Sequence, residues 1–582
     1  MSLFGRRQPA YEPPPPPYNS IDAMNHVSDP LSHVVRSYSH GEWGRLRMML
    51  GAYRGDDGYM KLTMTHPESN FLTLGPPRSA KTTGVQANQV LTHVGPRIVM
   101  SAKTDLAHLT AVGCSRMGPV WHFDATGLDP IPGLIPARWS MLAECTAWAR
   151  TQRMGGALTG SSGDPHQQHK FWADQAGDYI ACALYAAHLG GRDMDFVRRV
   201  GLGVPSACDE LEAILAGDPR GEEALELWEA TTGTHAEGLS SIRMSARAAL
   251  RIFGRPEVRA QSENPNFDLR SFIRGEPDAM NFSFVETDEG PRQLAANGIT
   301  ARDGWPRTGQ YPTLFITASS SDAEDAQTIY RAFMRLLWRE CQELHREDKA
   351  RGYRGRRPTL LIVDELGNLA PDPTYPAMVS QSADQGLLIS SSLQDLSQAE
   401  RHFGHEAKGF LSVHREVVVF PGIANVETLQ AISTLIGMRW ETRKTEGDNL
   451  TFGSNTSTGV NSSKNDHRVP ILEPAQIRNG KPGDPKAALY IPLTEWAWVW
   501  PAPVWAAAPW PRALIASLAL QSNKVMVDPE GQEWPVAAMP VPELDRVDHD
   551  GVPWLVKTQP DGDRLLDAYL TVKAIYARGG VA

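Results

Sequence analysis

The stretch "FLTLGPPRSAKTTGV", residues 71–85, restricts the fold of this chain more than any other. The apolar run Phe71–Leu74 leads into Gly75, and Lys81, Thr82 and Thr83 open a segment suited to a helix. A strand that delivers a tight turn to a helix N-terminus lets backbone N–H groups converge on phosphate oxygens. The lysine of such a loop reaches the β- and γ-phosphates, and the hydroxyl after it binds Mg²⁺. Units of this kind belong to parallel sheets covered by helices. One position departs from the usual Gly-four-residues-Gly-Lys pattern, because Ala80 stands where the second glycine belongs. A methyl is the smallest possible intrusion, and alanine accepts helical dihedrals. The sequence therefore predicts a working nucleotide loop of Gly75, Pro76, Pro77, Arg78, Ser79, Ala80, Lys81, Thr82 and Thr83, with modestly reduced affinity.

Its counterpart lies far downstream in "PTLLIVDELGNLA". Leu360, Leu361, Ile362 and Val363 deliver Asp364 and Glu365 to the end of a strand, where parallel sheets bind ligands. Asp364 suits Mg²⁺ through water, and Glu365 suits proton abstraction from an attacking water. The next apolar run, "GLLISSSLQD", ends in Gln394, placed to sense the γ-phosphate from an adjacent strand. Buried strands often end in acids, so the acidic pair gains its meaning from the loop. Together they predict an ATP site with Mg²⁺: catalytic Lys81, Glu365 and Gln394, and metal-binding Thr82 and Asp364.

The rest of the chain gives the organisation. Its 582 residues exceed one ordinary core. Residues 1–40 are a proline-rich tail, and 41–144 alternate strands and helices as the first part of an ATPase domain. Residues 145–255 form an all-α insertion, in which Phe171, Ala176, Tyr179, Ile180, Ala183 and Leu184 recur at helical spacing. Residues 256–510 complete the ATPase domain, and 511–582 form an appendage. The polar stretch 446–467 reads as an exposed loop or long hairpin tip. "HQQH", His166 to His169, reads as a polar loop. Arg243, Arg247, Arg251, Arg255 and Arg259 recur every four residues and would form one positive stripe on a helix, at least until Pro256 interrupts it. A solvated or acid-paired face is the usual reason for such a stripe. The net charge of −10 argues against a basic coat, although a basic channel can sit within an acidic shell. The five cysteines are scattered outside metal-ligand spacing and indicate reduced thiols.

The order of these motifs resembles the type IV coupling proteins, the VirD4/TraG/TraD-like ATPases of conjugation and type IV secretion. The resemblance runs from about residue 70 to about residue 500. "GPPRSAKTTG" is similar to their nucleotide loop, and Ser101 to Asp105 stand at the family's Asp-Pro-Lys-Gly-Glu signature. "VWHFDATGLDP", "ARWSML", "FWADQAGDYIACALYAA", "LLIVDELGNLAPDP", "SSSLQDLSQAERHFG" and "RVPILEPAQIRNGKPGDPKAALYIPLTEW" follow in family order. The resemblance implies a RecA-like P-loop core with a mostly parallel sheet and an all-α insertion. It also implies an ATP-driven homo-oligomeric ring, a hexamer, that hands single-stranded DNA and its relaxase to components of a secretion channel.

Three departures accompany it. Ala80 replaces glycine, and Ser101-Ala102 replace Asp-Pro while Lys103 is kept. "SQSADQGLL" lacks the arginine often found before the sensor strand, which leaves Arg401 and Arg415 as candidates to reach a neighbouring subunit. Family members usually begin with two transmembrane helices. No window of about 20 apolar residues exists here, so the expectation is a cytoplasmic chain, either peripheral at the inner face of the membrane through a separate membrane anchor or working as a soluble ring. Two alternatives stay open: a related ring ATPase with double-stranded DNA or protein cargo, and a nucleotide-binding adaptor with a weakened site.

Overall fold

A computed structural model describes residues 49–54, 60–66, 68–93, 95–115, 119–131, 134–160, 167–274, 284–287, 290–293, 312–318, 323–350, 358–366, 372–451, 457–484, 487–492, 496–499, 501, 525–527, 533–535 and 555–556. The proline-rich tail, and all of the C-terminal appendage except three short strands, lie outside these residues.

Ten strands form the central sheet: β1 (Phe71–Leu74), β2 (Arg97–Ser101), β3 (Val120–Asp124), β4 (Ile135–Pro136), β5 (Thr313–Thr317), β6 (Thr359–Val363), β7 (Leu387–Leu393), β8 (Glu416–Val419), β9 (Ala488–Pro492) and β10 (Ala497–Val499). Their order is β10-β9-β8-β1-β7-β6-β2-β5-β3-β4. Every pair from β8 to β4 is parallel, while β8–β9 and β9–β10 are antiparallel. Strands β1, β2, β3, β5, β6, β7 and β8 are buried at every position. That burial explains why these strands are mainly apolar rather than alternating, since a parallel sheet is covered on both faces. The fold class expected from the sequence is the one observed.

The first helix, α1 (Ala87–Thr92), continues a π-type turn at Thr82–Gln86, and α2 (Asp105–Ser115) follows β2. Helices then occupy the chain between β4 and the hairpin Phe284–Thr287/Gly290–Gln293. They run from Met141–Glu144 through α3 (Trp148–Thr159), α4 (Gln167–Leu189), α5 (Met194–Gly201), α6 (Pro205–Gly217), α7 (Glu222–Thr232), α8 (Ala236–Ala249) and α9 (Pro256–Ser262) to Leu269–Arg274. Ala176, Tyr179, Ile180, Ala183 and Leu184 on α4 are fully buried, and Tyr179 stacks on Trp228 at 4.7 Å. Phe171 departs from the expected stripe. It stays 55% exposed at the start of α4, edge-on to Trp172. The "HQQH" stretch is also not wholly a loop, because α4 begins at Gln167.

The 28-residue helix α10 (Ala323–Ala350) joins the helical layer to the sheet. Its Phe333 packs edge-on to Trp139 at 5.2 Å and stacks on Phe123 of β3. Buried Glu340 of α10 accepts from Arg150 of α3 and, at 2.9 Å, from Arg270. Arg335 grips Asp372 through two nitrogens, Nε at 2.5 Å and Nη2 at 3.0 Å. A fully buried carboxylate is tolerable only with such partners, and removing one partner leaves an uncompensated charge.

After β6 come α11 (Tyr375–Ser382), α12 (Leu396–Phe403) and α13 (Val426–Ile436). The polar stretch after α13 is a long antiparallel hairpin, Met438–Thr451 against Ser457–Pro470. Among the described residues, no helix is long and apolar enough to cross a membrane.

Candidate active site

Gly75 leaves β1 at a point with no room for a side chain. A Cβ there would lie 2.7 Å from Phe420 Cβ and 2.8 Å from Ser79 Oγ. Its backbone N–H donates to Leu393 O at 3.2 Å, tying the exit of β1 to the exit of β7. Arg78 and Ala80 then hold left-handed backbones, φ +62° and +67°. This corrects the helical conformation expected for Ala80, because the loop path sets the dihedral and glycine is its ordinary occupant. An L-residue there costs about 1–2 kcal/mol. Ala80 therefore differs from glycine here in conformational cost as well as in bulk.

Lys81 caps the helix in a right-handed conformation, and Thr82 and Thr83 sit half-buried in its first turn. The Lys81 ammonium donates to Gly75 O and, at 2.9 Å, to Pro76 O. Burial lowers the Lys81 pKa, and the charges of Asp364 and Glu365 oppose that shift. The buried Ser79 hydroxyl, within the loop, has no hydrogen-bond partner among the described residues.

Strand β7 lies between β1 and β6, so Gln394 emerges between the loop and the acidic pair. Gln394 is half-buried, and its backbone N–H donates to Gln398 Oε1 at 2.9 Å. Asp364 is 7% exposed; its N–H donates to Met100 O at 2.8 Å. Ser101 Oγ donates to Asp364 Oδ2 at 3.3 Å. Burial first, then the neighbouring Glu365 charge, raises the Asp364 pKa. Glu365 turns out of the strand with φ +53°. Its Oε1 accepts from Lys103 Nζ at 3.2 Å, and this carboxylate raises the Lys103 pKa.

The sheet therefore brings together every residue singled out for chemistry: the loop from Gly75 to Thr83, then Asp364, Glu365 and Gln394. Two further members, Ser101 and Lys103, were not among the expected site residues. The signal for them was the second-strand motif at the exit of β2, next to β6. Arg401 and Arg415 are both exposed, on α12 and just before β8. The expected arginine stripe is broken: α8 ends at Ala249, and Arg255 is extended ahead of α9. Arg259 donates to Phe253 O at 2.8 Å and lies 3.8 Å from Asp195.

This donor set fits a nucleoside triphosphate with Mg²⁺. The loop offers backbone and the unpartnered Ser79 hydroxyl. Lys81 offers the cation, while Thr82 and Asp364 offer oxygens to a metal. The acidic pair needs neighbouring positive charge, and Lys81 and Lys103 supply it from two sides.

Residues 358–482 match the family model described as the TraM recognition site of TraD and TraG. A search of curated proteins finds no match. Among solved structures, the unbound bacterial conjugative coupling protein TrwBΔN70 is similar, with a TM-score of 0.50 and 16% identity, covering 74% of this chain and 84% of that one. The plasmid coupling protein TrwB with a non-hydrolysable ATP analogue follows at TM-score 0.49 and 17% identity, over 74% and 85%. TrwB with ADP and Mg²⁺ follows at 0.48 and 16%, over 74% and 84%. The resemblance to the coupling proteins holds in sequence over residues 358–482, and in fold over 74% of the chain.

Proposed function

We propose that this chain is an ATP-hydrolysing coupling protein. It would move single-stranded DNA, with its attached relaxase, toward a type IV secretion channel. One observation carries the reading: the exits of three adjacent parallel strands, β1, β7 and β6, gather the 75–83 loop, the Gln394 amide and the Asp364–Glu365 pair at one end of the sheet. The family match over residues 358–482 supports the coupling role.

In this reading the loop backbone and Lys81 bind the β- and γ-phosphates. Thr82 and Asp364 hold Mg²⁺, which when bound neutralises charge on the phosphate oxygens. Glu365 accepts a proton from the attacking water, and Gln394 contacts the γ-phosphate side. Assembly as a hexameric ring, and a peripheral position at the inner membrane face beside a separate anchor, complete the proposal. Its domains are a split motor at 41–144 and 256–510, an all-α unit at 145–255, and an appendage at 511–582.

Steady-state ATP hydrolysis, measured with and without single-stranded DNA over a protein concentration series, tests this. Turnover that rises with DNA and steeply with protein is the expected result. ATP binding without turnover under every condition would instead support the adaptor reading, which the strained Ala80 backbone favours.

A further inference from the structure

Lys103 lies two residues beyond β2, and β2 flanks the acidic strand β6 on the side away from β7 and β1. Its ammonium meets Glu365 Oε1 at 3.2 Å, with the two side chains 62% and 28% exposed. The contact joins positions 262 residues apart, so the sheet and not local sequence creates it. It draws the carboxylate toward β2, while the loop and Gln394 stand on the other side. The ammonium thereby occupies one carboxylate oxygen and fixes the direction in which the carboxylate points. The left-handed backbone of Glu365 adds to this picture: such a residue persists only where its surroundings hold it.

We propose that Lys103 is a positioning residue that restrains hydrolysis. Its ammonium holds the Glu365 carboxylate on the β2 side and competes with the attacking water for it. The inference rests on the reading of the chain as an ATPase with Glu365 as the acceptor of the water's proton. The pair is partly exposed, so its strength is bounded: an exposed ion pair converts to at most about fivefold in a rate. Lys103 is thus a brake of modest size.

The test uses the full chain as wild type, Lys103→Met and Lys103→Arg, without DNA. Lys103→Met should raise kcat about two- to fivefold and leave KM within about twofold. Lys103→Arg keeps the cation and should return most of the restraint. A second readout does not involve turnover: NMR of the ¹³C-methylated lysines. Lys103, identified by its loss in Lys103→Met, should titrate above ordinary lysine and fall back in Glu365→Gln. An unchanged or lower kcat in Lys103→Met, with an active wild type, overturns the restraint and leaves the ATPase reading standing. A Lys103 titration indifferent to Glu365→Gln overturns the pairing itself. A wild type that binds ATP and never hydrolyses it overturns the ATPase reading, and the restraint with it, even where the pair persists.

Discussion

Ser101 Oγ donates to Asp364 Oδ2 at 3.3 Å, joining the exit of β2 to the exit of β6. The resembled family has an acid in this motif position, whereas here a hydroxyl faces the buried carboxylate. The hydrogen bond favours the ionised form of Asp364 against its burial. Ser101→Ala should therefore weaken Mg²⁺ by a few-fold, the yield of one hydrogen bond of about 1 kcal/mol. Ser101→Asp, which places a further negative charge beside the cation, should weaken it less than Ser101→Ala or not at all. The Mg²⁺ dependence of ATP binding measures both; an unchanged requirement in both variants would separate Asp364 from the metal.

Ala80 gives the second prediction. A left-handed alanine costs about 1–2 kcal/mol, and glycine returns part of that gain through a freer unfolded chain. Ala80→Gly should stabilise the protein by roughly 0.5–1 kcal/mol and bind ATP as tightly or more tightly. Thermal unfolding and equilibrium ATP titration check it, and a less stable Ala80→Gly would show that the loop conformation is assigned wrongly. Ala80→Val, with a branched side chain at the same φ, should lose binding.

The catalytic assignment is tested by two variants with opposite signatures. Lys81→Ala removes the cation of the loop and should abolish turnover, with ATP affinity falling as well. Glu365→Gln keeps the shape of the site and should bind ATP while hydrolysing it at least about 100-fold more slowly. Near-normal hydrolysis in Lys81→Ala, or lost ATP binding in Glu365→Gln, would remove that residue from its role.

A fourth prediction concerns the joint between the helices and α10. Burial raises the pKa of Glu144 to about 7, against the opposing charge of Arg150 and the hydrogen bond from Trp139. The fold therefore favours the protonated acid. Its stabilising contribution is complete below the ordinary value of 4.5 and is lost as pH rises through about 7. Glu144→Gln mimics the protonated form at every pH. It should match wild type at pH 4 and exceed it at pH 8, by at most about 3 kcal/mol. Denaturant unfolding of both proteins at the two pH values reads the difference. Equal stability at pH 8 would show Glu144 to be ionised at no cost.

Strand-borne features were legible in the sequence because a buried parallel strand leaves a mainly apolar run. Leu360–Val363 announced where Asp364 and Glu365 would emerge, and Phe71–Leu74 did the same for Gly75. The dihedral of Ala80 was not legible, since the loop's path and not its residue type fixes it. Nor was the Lys103–Glu365 pair, which exists only because β2 and β6 become neighbours. Phe171 matched the helical period of α4 yet faces solvent, as periodicity gives a face without saying how far coverage extends. The polar low-complexity stretch after α13 allowed a hairpin in composition, but did not give its 14-residue register.

The order of the sheet has a consequence for synthesis. Strands β1, β2 and β3 leave the ribosome first, yet no two of them are neighbours: β7 and β6 separate β1 from β2, and β5 separates β2 from β3. The loop-bearing third of the chain therefore waits with open hydrogen-bonding edges until strands from beyond the helical layer arrive. Such edges invite wrong pairing, and non-local closure is slow. The helical layer, whose contacts are largely its own, can fold in the interval. A nascent chain stopped before β5 would hold helices still lacking α10 beside strands still lacking their neighbours, and the 75–83 loop, though made early, would be among the last parts of the molecule to take shape.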